Sequence, residues 1–529
     1  MQNRKYPYYV VAEPKDLKEL IHFCANEYKN KTAFWFRKKN EEISISYTQL
    51  NNDINAFGTY LFSTGYKNAN IAILGENSYE WIVSYFAVVN GNNVVVPIDK
   101  EATKDDVRFQ LEKSDTSLLI YSNAYKDIAE FCGIKSICMN DFADIVHKGE
   151  NLIEKGDKDF IETVIDKNKM CTIVFTSGTT AQPKGVMLNH KNLVADLVSS
   201  SRNLCLPGDT VIILPIHHTY GFMASVLCPM LKGYSGYINS SMKRAFDDIK
   251  YAKPKYVAVV PMIIEALYDK IWSSVKKQGK ERFMKNLLRI SNWLLQIGVD
   301  IRRVVFKTVL DAFGGNIEML ITGGSSIDAK YVEKFRNMGI NITSGYGITE
   351  CSPIVATMRN EHYEPESVGT INPDVNCRIK DGEIQVKGDI VFNGYYKDMK
   401  STAEAFDGDW FKTGDLGRID KDGFLYITGR KKNLIILSNG KNVSPEELEN
   451  VIKDAITEVR EVLVYEENNS IVAEMFCTDE VENVQAIVKS KIDVLNKNLP
   501  SYKQISIVKH RNTEFPKTST KKIKRNYGG

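Results

Sequence analysis

Short apolar runs alternate with longer polar or amphipathic stretches through the middle of this 529-residue chain. From residue 70 the order is NIAIL, a helical stretch opening at Ser78 (SYEWIVSYFAVVN), VVVP, a polar helix after Thr103, then SLLIY at 117–121. The rhythm resumes with VIILP at 211–215, YVAVVP at 256–261 and EMLITGG at 318–324. Strand and helix in alternation predict a parallel sheet covered by helices, an α/β fold. Ligands in such sheets gather at the carboxyl ends of the strands. Between about 366 and 429 the texture changes to short alternating strands broken by glycine, as in GEIQVKGDIVFNGYY and DGFLYITGR, which read as a small antiparallel or barrel-like section.

After GRKKN a further unit begins. Ser444 and Glu447 have capping-box spacing with Pro445 between them, so a helix starts there. VREVLVY, an Asn468-Asn469 turn, SIVAEMF, a helix over 481–498 and QISIVK complete a small α+β domain. The expected division is an N-terminal domain of 1–430, with αβ subdomains and a barrel-like section, and a C-terminal domain of 431–529. One more pattern stands out at 276–307, where nine Lys or Arg face only Glu281 and Asp300, a balance of +7, with Phe283, Leu287, Leu288, Trp293, Leu294 and Leu295 interleaved. Such a helix can lie on an anionic membrane, receive an acidic acyl carrier protein, or simply pack on the core with a solvated face.

Composition changes this picture little. The length calls for two or more domains, and 43% hydrophobic with 26% charged residues is ordinary for a globular protein. A net charge of +3, with no basic stripe interleaved with aromatics, argues against nucleic acid. Nine cysteines form no CxxC pair and no zinc pattern with histidine, which fits reduced thiols in a cytoplasm. The start, MQNRKYPYYVVAEPKD, lacks the apolar core of a signal peptide, and no run of 18 apolar residues occurs. The expectation is a cytoplasmic protein, at most peripheral at the inner face of the membrane.

The chemistry lies in TIVFTSGTTAQPKGVMLNH at 172–190: an apolar strand, then hydroxyls, glycines and a lysine that can hold an anion such as phosphate. It is not a Walker loop, because Pro183, Lys184 and Gly185 stand where that pattern from Gly178 needs Gly, Lys and Ser or Thr. Together with LPIHHTYG (214–221), GYGITE (345–350), TGD (413–415), GR (429–430) and PKTSTKKIKR (516–525), it resembles the ordered motifs of the adenylate-forming superfamily of acyl-CoA synthetases, adenylation domains and luciferases. The resemblance runs from about 45 to 525.

That resemblance implies the following roles. Thr176, Ser177, Gly178, Thr179, Thr180 and Lys184 cradle the ATP phosphates, with Ala181 standing where the family usually has glycine. Glu350 is the Mg2+ carboxylate and Thr349 its phosphate-contacting neighbour. Tyr346 and Gly347 lie at adenine, and Gly323 and Gly324 form a backbone wall beside it, although a lone Tyr between glycines equally suits a core. Asp415 accepts the ribose hydroxyls and Arg430 is its cationic neighbour, a pair that out of context would be a surface salt bridge. Lys522 is the adenylation lysine, placed by its spacing to Pro516 and Ile523; Lys521 stands before it where the family has glycine. Lys432 is the hinge of a mobile small domain. His218, with Tyr220, Gly221 and Phe222, marks the acyl-pocket entrance; a histidine beside aromatics is also a common core residue.

The 62 positions from Pro261 to Gly323 exceed those of aryl or luciferase-like members and resemble bacterial long-chain fatty acyl-CoA synthetases. No aspartate falls where amino-acid-activating members hold an amino group. The function implied is ATP- and Mg2+-dependent activation of a carboxylic acid, above all a long-chain fatty acid, to acyl-AMP with transfer to CoA. Loading of a separate carrier protein is the alternative, and an inactive nucleotide-binding scaffold a minor one.

Overall fold

A computed structural model describes residues 6–39, 41–176, 183–239, 241–324, 327–437, 441–468, 470–477, 483–517 and 523–525. The chain divides into two compact units, Met1–Asn376 with Val386–Phe411, and Cys377–Gln385 with Lys412–Gly529.

The larger unit holds two sheets. The first runs, in spatial order, Ser136–Cys138, Leu118–Tyr121, Asn70–Leu74, Val94–Ile98, Met170–Thr176 and Lys184–Asn189, parallel except for its last pair. Ile71 to Leu74 are fully buried, which is why this strand reads as one unbroken apolar run. Helix Tyr79–Val89 is apolar on nearly every side and almost wholly buried, and Ser78 caps it by accepting from the Trp81 amide at 3.1 Å. Thr103 and Asp106 form a reciprocal capping box at helix Lys104–Lys113.

The second sheet has nine strands. Six parallel ones form its centre, from Asn341–Gly347 through Met319–Thr322, Tyr256–Val259, Thr210–Ile212 and Gly236–Ile238 to Thr32–Lys38. Antiparallel strands flank them: Ile354–Thr357 and Thr370–Ile371 on one side, Glu41–Ser46 on the other. The VIILP strand stops at Ile212, earlier than its composition predicts. Asn77 takes the Leu214 carbonyl at 2.9 Å and donates also towards Ile212 O at 3.3 Å, and Pro215 has no N–H to continue a ladder.

The smaller unit takes in Cys377–Gln385 and residues 412–430 as well as the expected 431–529. Here Trp410–Ile419 pairs antiparallel with Leu425–Arg430, the section read as barrel-like. Beyond it, Val459–Glu467, Ser470–Cys477 and Ile507–Arg511 make a three-stranded sheet under helices Pro445–Ala455 and Val484–Asn496. Its core is its own, built from Leu448, Ile452, Val462, Ile471, Val488 and Ile492. The capping box predicted at Ser444 is only half formed. Ser444 accepts from the Glu447 amide at 3.4 Å, whereas the Glu447 carboxylate pairs with Lys503 at 2.6 Å. No described helix is long and apolar enough to cross a membrane.

Candidate active site

Thr176 and Lys184 face each other as the last register pair of an antiparallel hairpin, so the Thr/Ser/Gly segment begins and ends at fixed points. Ser177, Gly178, Thr179, Thr180 and Ala181 lie outside the described residues. The Lys184 ammonium stands 4.9 Å from the centroid of the Tyr395 ring. The hydroxyl of that same tyrosine donates to Glu350 Oε1 at 2.9 Å. Tyr395 therefore joins the loop lysine to the acidic residue of GYGITE. Burial, then the adjacent Glu350 carboxylate, push the Tyr395 hydroxyl far above its ordinary pKa, so it stays a proton donor to that carboxylate. Sequence reasoning missed Tyr395, because NGYYKD carries no pattern that separates a site tyrosine from a packed one.

Glu350 is 7% exposed and sits in a single turn, Thr349–Cys351, whose backbone is held from two sides. The Phe392 amide donates to Glu350 O at 2.9 Å, and the Ser352 amide to Thr349 O at 3.1 Å. Just before it, Gly347 passes so close to Pro353 that a Cβ there would lie 2.1 Å from the Pro353 carbonyl oxygen. Only glycine fits this approach. Tyr346, 8% exposed, precedes it on the strand and pairs with Ala356.

Gly323 and Gly324 follow the neighbouring parallel strand Met319–Thr322, whose Thr322 pairs with Ser344. Both glycines thus lie at carboxyl strand ends beside the GYG segment. Gly323 faces Tyr220, whose hydroxyl donates to Ile321 O at 3.2 Å. Tyr220 is therefore turned to this glycine wall.

An apolar cavity opens next to the other half of LPIHHTYG. Tyr85, Pro97, Val174, Leu193, Phe222 and Met223 line it, and His217 and His218 stand at its polar side. Phe222 packs against Tyr85 with ring centroids 4.3 Å apart. Gly221 does not line it; its bare Cα allows close passage by Pro215, whose carbonyl oxygen would lie 2.3 Å from a Cβ. The loop is fixed by Asn77, which accepts from the Ile216 amide at 3.1 Å as well as donating to Leu214 O.

His217 Nε2 lies 3.2 Å from Asp99 Oδ1, and donor atoms of Asp99, His217 and His218 fall within 4.8 Å of one another. This trio was not foreseen, since the partners are more than a hundred positions apart. The available signal was the place of Asp99 at the carboxyl end of strand Val94–Ile98.

In the smaller unit, Asp415 is 3% exposed and pairs with Arg430 at 2.6 Å, directly across the ladder. The preceding turn is held tightly: Thr413 Oγ1 donates to Ile384 O at 2.8 Å and accepts from the Asp415 amide at 3.1 Å. The Gly414 amide, at φ +73°, donates to Glu383 Oε1 at 3.1 Å. Glu383 also pairs with Lys431 at 2.9 Å and is another partner that the sequence did not single out. Lys432 lies in the single turn Lys431–Asn433.

Lys521 and Lys522 lie outside the described residues, but the chain on either side is anchored. Lys517 and Ile523 form a bridge, and Arg525 pairs with Glu449 at 2.6 Å while donating to Val464 O at 3.2 Å. Burial lifts the Glu449 carboxyl to about 7 against the opposing pull of Arg525.

Comparison with known proteins agrees with this geometry. Residues 22–396 match the family model "AMP-binding enzyme", and 432–527 match "AMP-binding enzyme C-terminal domain". The chain is 30% identical over 441 residues to the long-chain-fatty-acid–CoA ligase FadD15 of Mycobacterium bovis, covering 77% of this chain and 73% of the relative. It is 28% identical over 504 residues to long-chain-fatty-acid–CoA ligase 5 of Rattus norvegicus, covering 84% and 72%. The fold matches that of o-succinylbenzoate coenzyme A synthetase from Bacillus subtilis, solved with ATP and magnesium ion, with a TM-score of 0.73 at 21% identity over 95% of this chain and 98% of that one. The family matches, the ordered motifs and the meeting of Lys184 with Glu350 at one tyrosine lead to one conclusion: the chain belongs to the AMP-binding enzyme family.

Proposed function

We propose that this protein is an AMP-forming acid–thiol ligase that activates a long-chain fatty acid and transfers it to CoA. The observation that carries the reading is the grouping of Lys184 and Glu350 around Tyr395, a cation and a carboxylate at the end of a phosphate-type loop. The names of the relatives support the substrate class, and the apolar lining beside His217 and His218 is compatible with an acyl group.

In the first half-reaction a carboxylate oxygen of the fatty acid attacks the α-phosphorus of ATP and the bond to pyrophosphate breaks. In the second, the CoA sulfur attacks the acyl carbon and AMP leaves with the bonding electrons. Both steps depend on positioning and countercharge, with no dedicated nucleophile on the protein. Thr176, Ser177, Gly178, Thr179, Thr180 and Lys184 hold the β- and γ-phosphates. Gly323, Gly324, Tyr346 and Gly347 border the adenine, Thr349 contacts phosphate, and Asp415 with Arg430 takes the ribose. Lys522 meets the α-phosphate and the substrate carboxylate, and Lys432 is the point about which residues 431–529 turn between the half-reactions. His218 and Phe222 guard the acyl cavity, with Tyr220 and Gly221 shaping its approach.

Glu350 fits Mg2+: it is a buried oxygen donor, anchored by Tyr395 on one carboxylate oxygen. Bound there, the ion would neutralise phosphate charge. The nine scattered thiols, none of them disulfide-bonded, support a cytoplasmic location.

The test is AMP release from ATP across fatty, short and aromatic acids, with CoA or a holo carrier protein as acceptor. Turnover that needs CoA and peaks on long chains is the expected result. Turnover only with carrier protein would replace CoA as the acceptor, and no turnover with any acid would leave a nucleotide-binding scaffold.

A further inference from the structure

Helix Glu281–Gln296 has more apolar surface than its packing uses. Met284 and Ser291 are buried, and Leu287 and Leu288 are half-buried against the core beneath. At about 100° per residue these four share one arc of the helix. Phe283, Ile290, Trp293 and, one residue past the helix end, Ile297 fall on another arc, roughly 80° wide, and are 66%, 53%, 60% and 59% exposed. A surface helix of a globular protein needs one apolar stripe, towards the core. This helix has a second one turned to solvent.

The charges beside it sort into two groups. Of the basic residues at 276–307, Arg302 is committed to Asp300 at 2.7 Å, Arg303 to the Ile317 carbonyl at 2.7 Å, and Lys307 to Asp311 at 2.8 Å. Among the described residues, Lys276, Lys277, Arg282, Lys285 and Arg289 enter no ion pair and are exposed, and the Lys280 ammonium donates to the uncharged Gln278 side chain at 3.0 Å. Arg282, Lys285 and Arg289 occupy the arc adjoining the solvent-facing apolar stripe, and the three lysines lie on the chain just before it. Aromatic and aliphatic side chains flanked by uncommitted cations on one convex helix face match a layer that is apolar inside and anionic at its surface.

We propose that the solvent face of residues 281–297, with the lysines before it, docks on an anionic lipid bilayer. The benefit to the enzyme rests on the long-chain reading above: such acids partition into bilayers, so docking brings the acyl cavity to its substrate. Docking itself does not depend on that reading.

The experiment is sedimentation of the full chain with phosphatidylcholine vesicles, with and without one-third phosphatidylglycerol, in low and high salt. Anionic vesicles should bind the protein at least tenfold more tightly than neutral ones, and salt should weaken the binding. Phe283→Ser with Ile290→Ser and Trp293→Ser should cost tenfold or more. Each of Arg282→Gln, Lys285→Gln and Arg289→Gln should cost roughly fivefold. All variants should keep the parent Tm and the parent rate on octanoate presented without membrane. Absence of binding to anionic vesicles, or binding untouched by both variant sets, overturns the proposal. So does saturable capture by an acidic carrier protein, or a monomer–dimer equilibrium abolished by the triple variant, in place of vesicle binding. Vesicle binding by a protein inactive on every acid would count against the ligase reading alone.

Discussion

At the residue scale the site depends on how Tyr395 is used. Its ring receives Lys184 and its hydroxyl holds Glu350, so a single side chain sets the spacing between cation and carboxylate. Glu350→Gln keeps the shape and the hydrogen bond but removes the charge, and should lower kcat/KM by roughly a hundredfold or more with Tm unchanged. Tyr395→Phe keeps the ring contact and frees the carboxylate; its effect should show as a raised Mg2+ requirement, with a smaller loss of rate at saturating Mg2+. Titrating AMP release against Mg2+ for both variants checks this, and equal Mg2+ profiles for Tyr395→Phe and the parent would remove the positioning role. Glu350, Lys184 and Asp415 could be picked out of the sequence as candidates because their types fall in ordered motifs. Tyr395, Asp99 and Glu383 were not, because each acts through a partner contributed by a distant segment, and chain order carries no record of that contact.

At the element scale the strands were legible wherever both faces are buried, as at Asn70–Leu74, since such strands must be apolar throughout. The hairpin Thr32–Lys38 with Glu41–Ser46 was not read. It is an edge pair, the second strand of which is largely exposed, and its apolar signal is correspondingly weak. What locks elements together was even less visible. His190, 1% exposed, accepts at Nδ1 from the Leu17 amide at 3.2 Å, the first orphan donor of helix Leu17–Tyr28, and its Nε2 lies 3.2 Å from Val89 O.

Burial lowers the His190 pKa to about 4. Above the ordinary histidine value both folded and unfolded chains are neutral here, and the ring costs nothing. As pH falls from about 6.5 towards about 4, the unfolded chain takes up a proton that the folded chain refuses, so stability is lost at up to roughly 1.4 kcal/mol per pH unit. Denaturant melts across this window should show that decline in the parent and a shallower one in His190→Gln. Parallel declines would mean that other groups carry it.

At the scale of the whole molecule the two units have separate hydrophobic cores, so a substitution in one need not disturb the core of the other. Lys522→Ala should slow adenylation by roughly a hundredfold while leaving transfer from supplied acyl-AMP to CoA near the parent rate, read by pyrophosphate release in one assay and acyl-CoA formation in the other. Equal losses in both would move the role to Lys521 or elsewhere.

The paired backbone at Thr176 with Lys184, and at Lys517 with Ile523, has a consequence for how these sequences can vary. Closing a longer loop on fixed ends costs only about 0.6 kcal/mol for each doubling of its length. Lengthening either segment between those pairs therefore carries a small closure cost, and variants with a few inserted residues there should keep Tm within a few degrees of the parent in thermal melts. Loss of turnover without loss of Tm in such variants would separate what those segments do in the reaction from what holds the protein up.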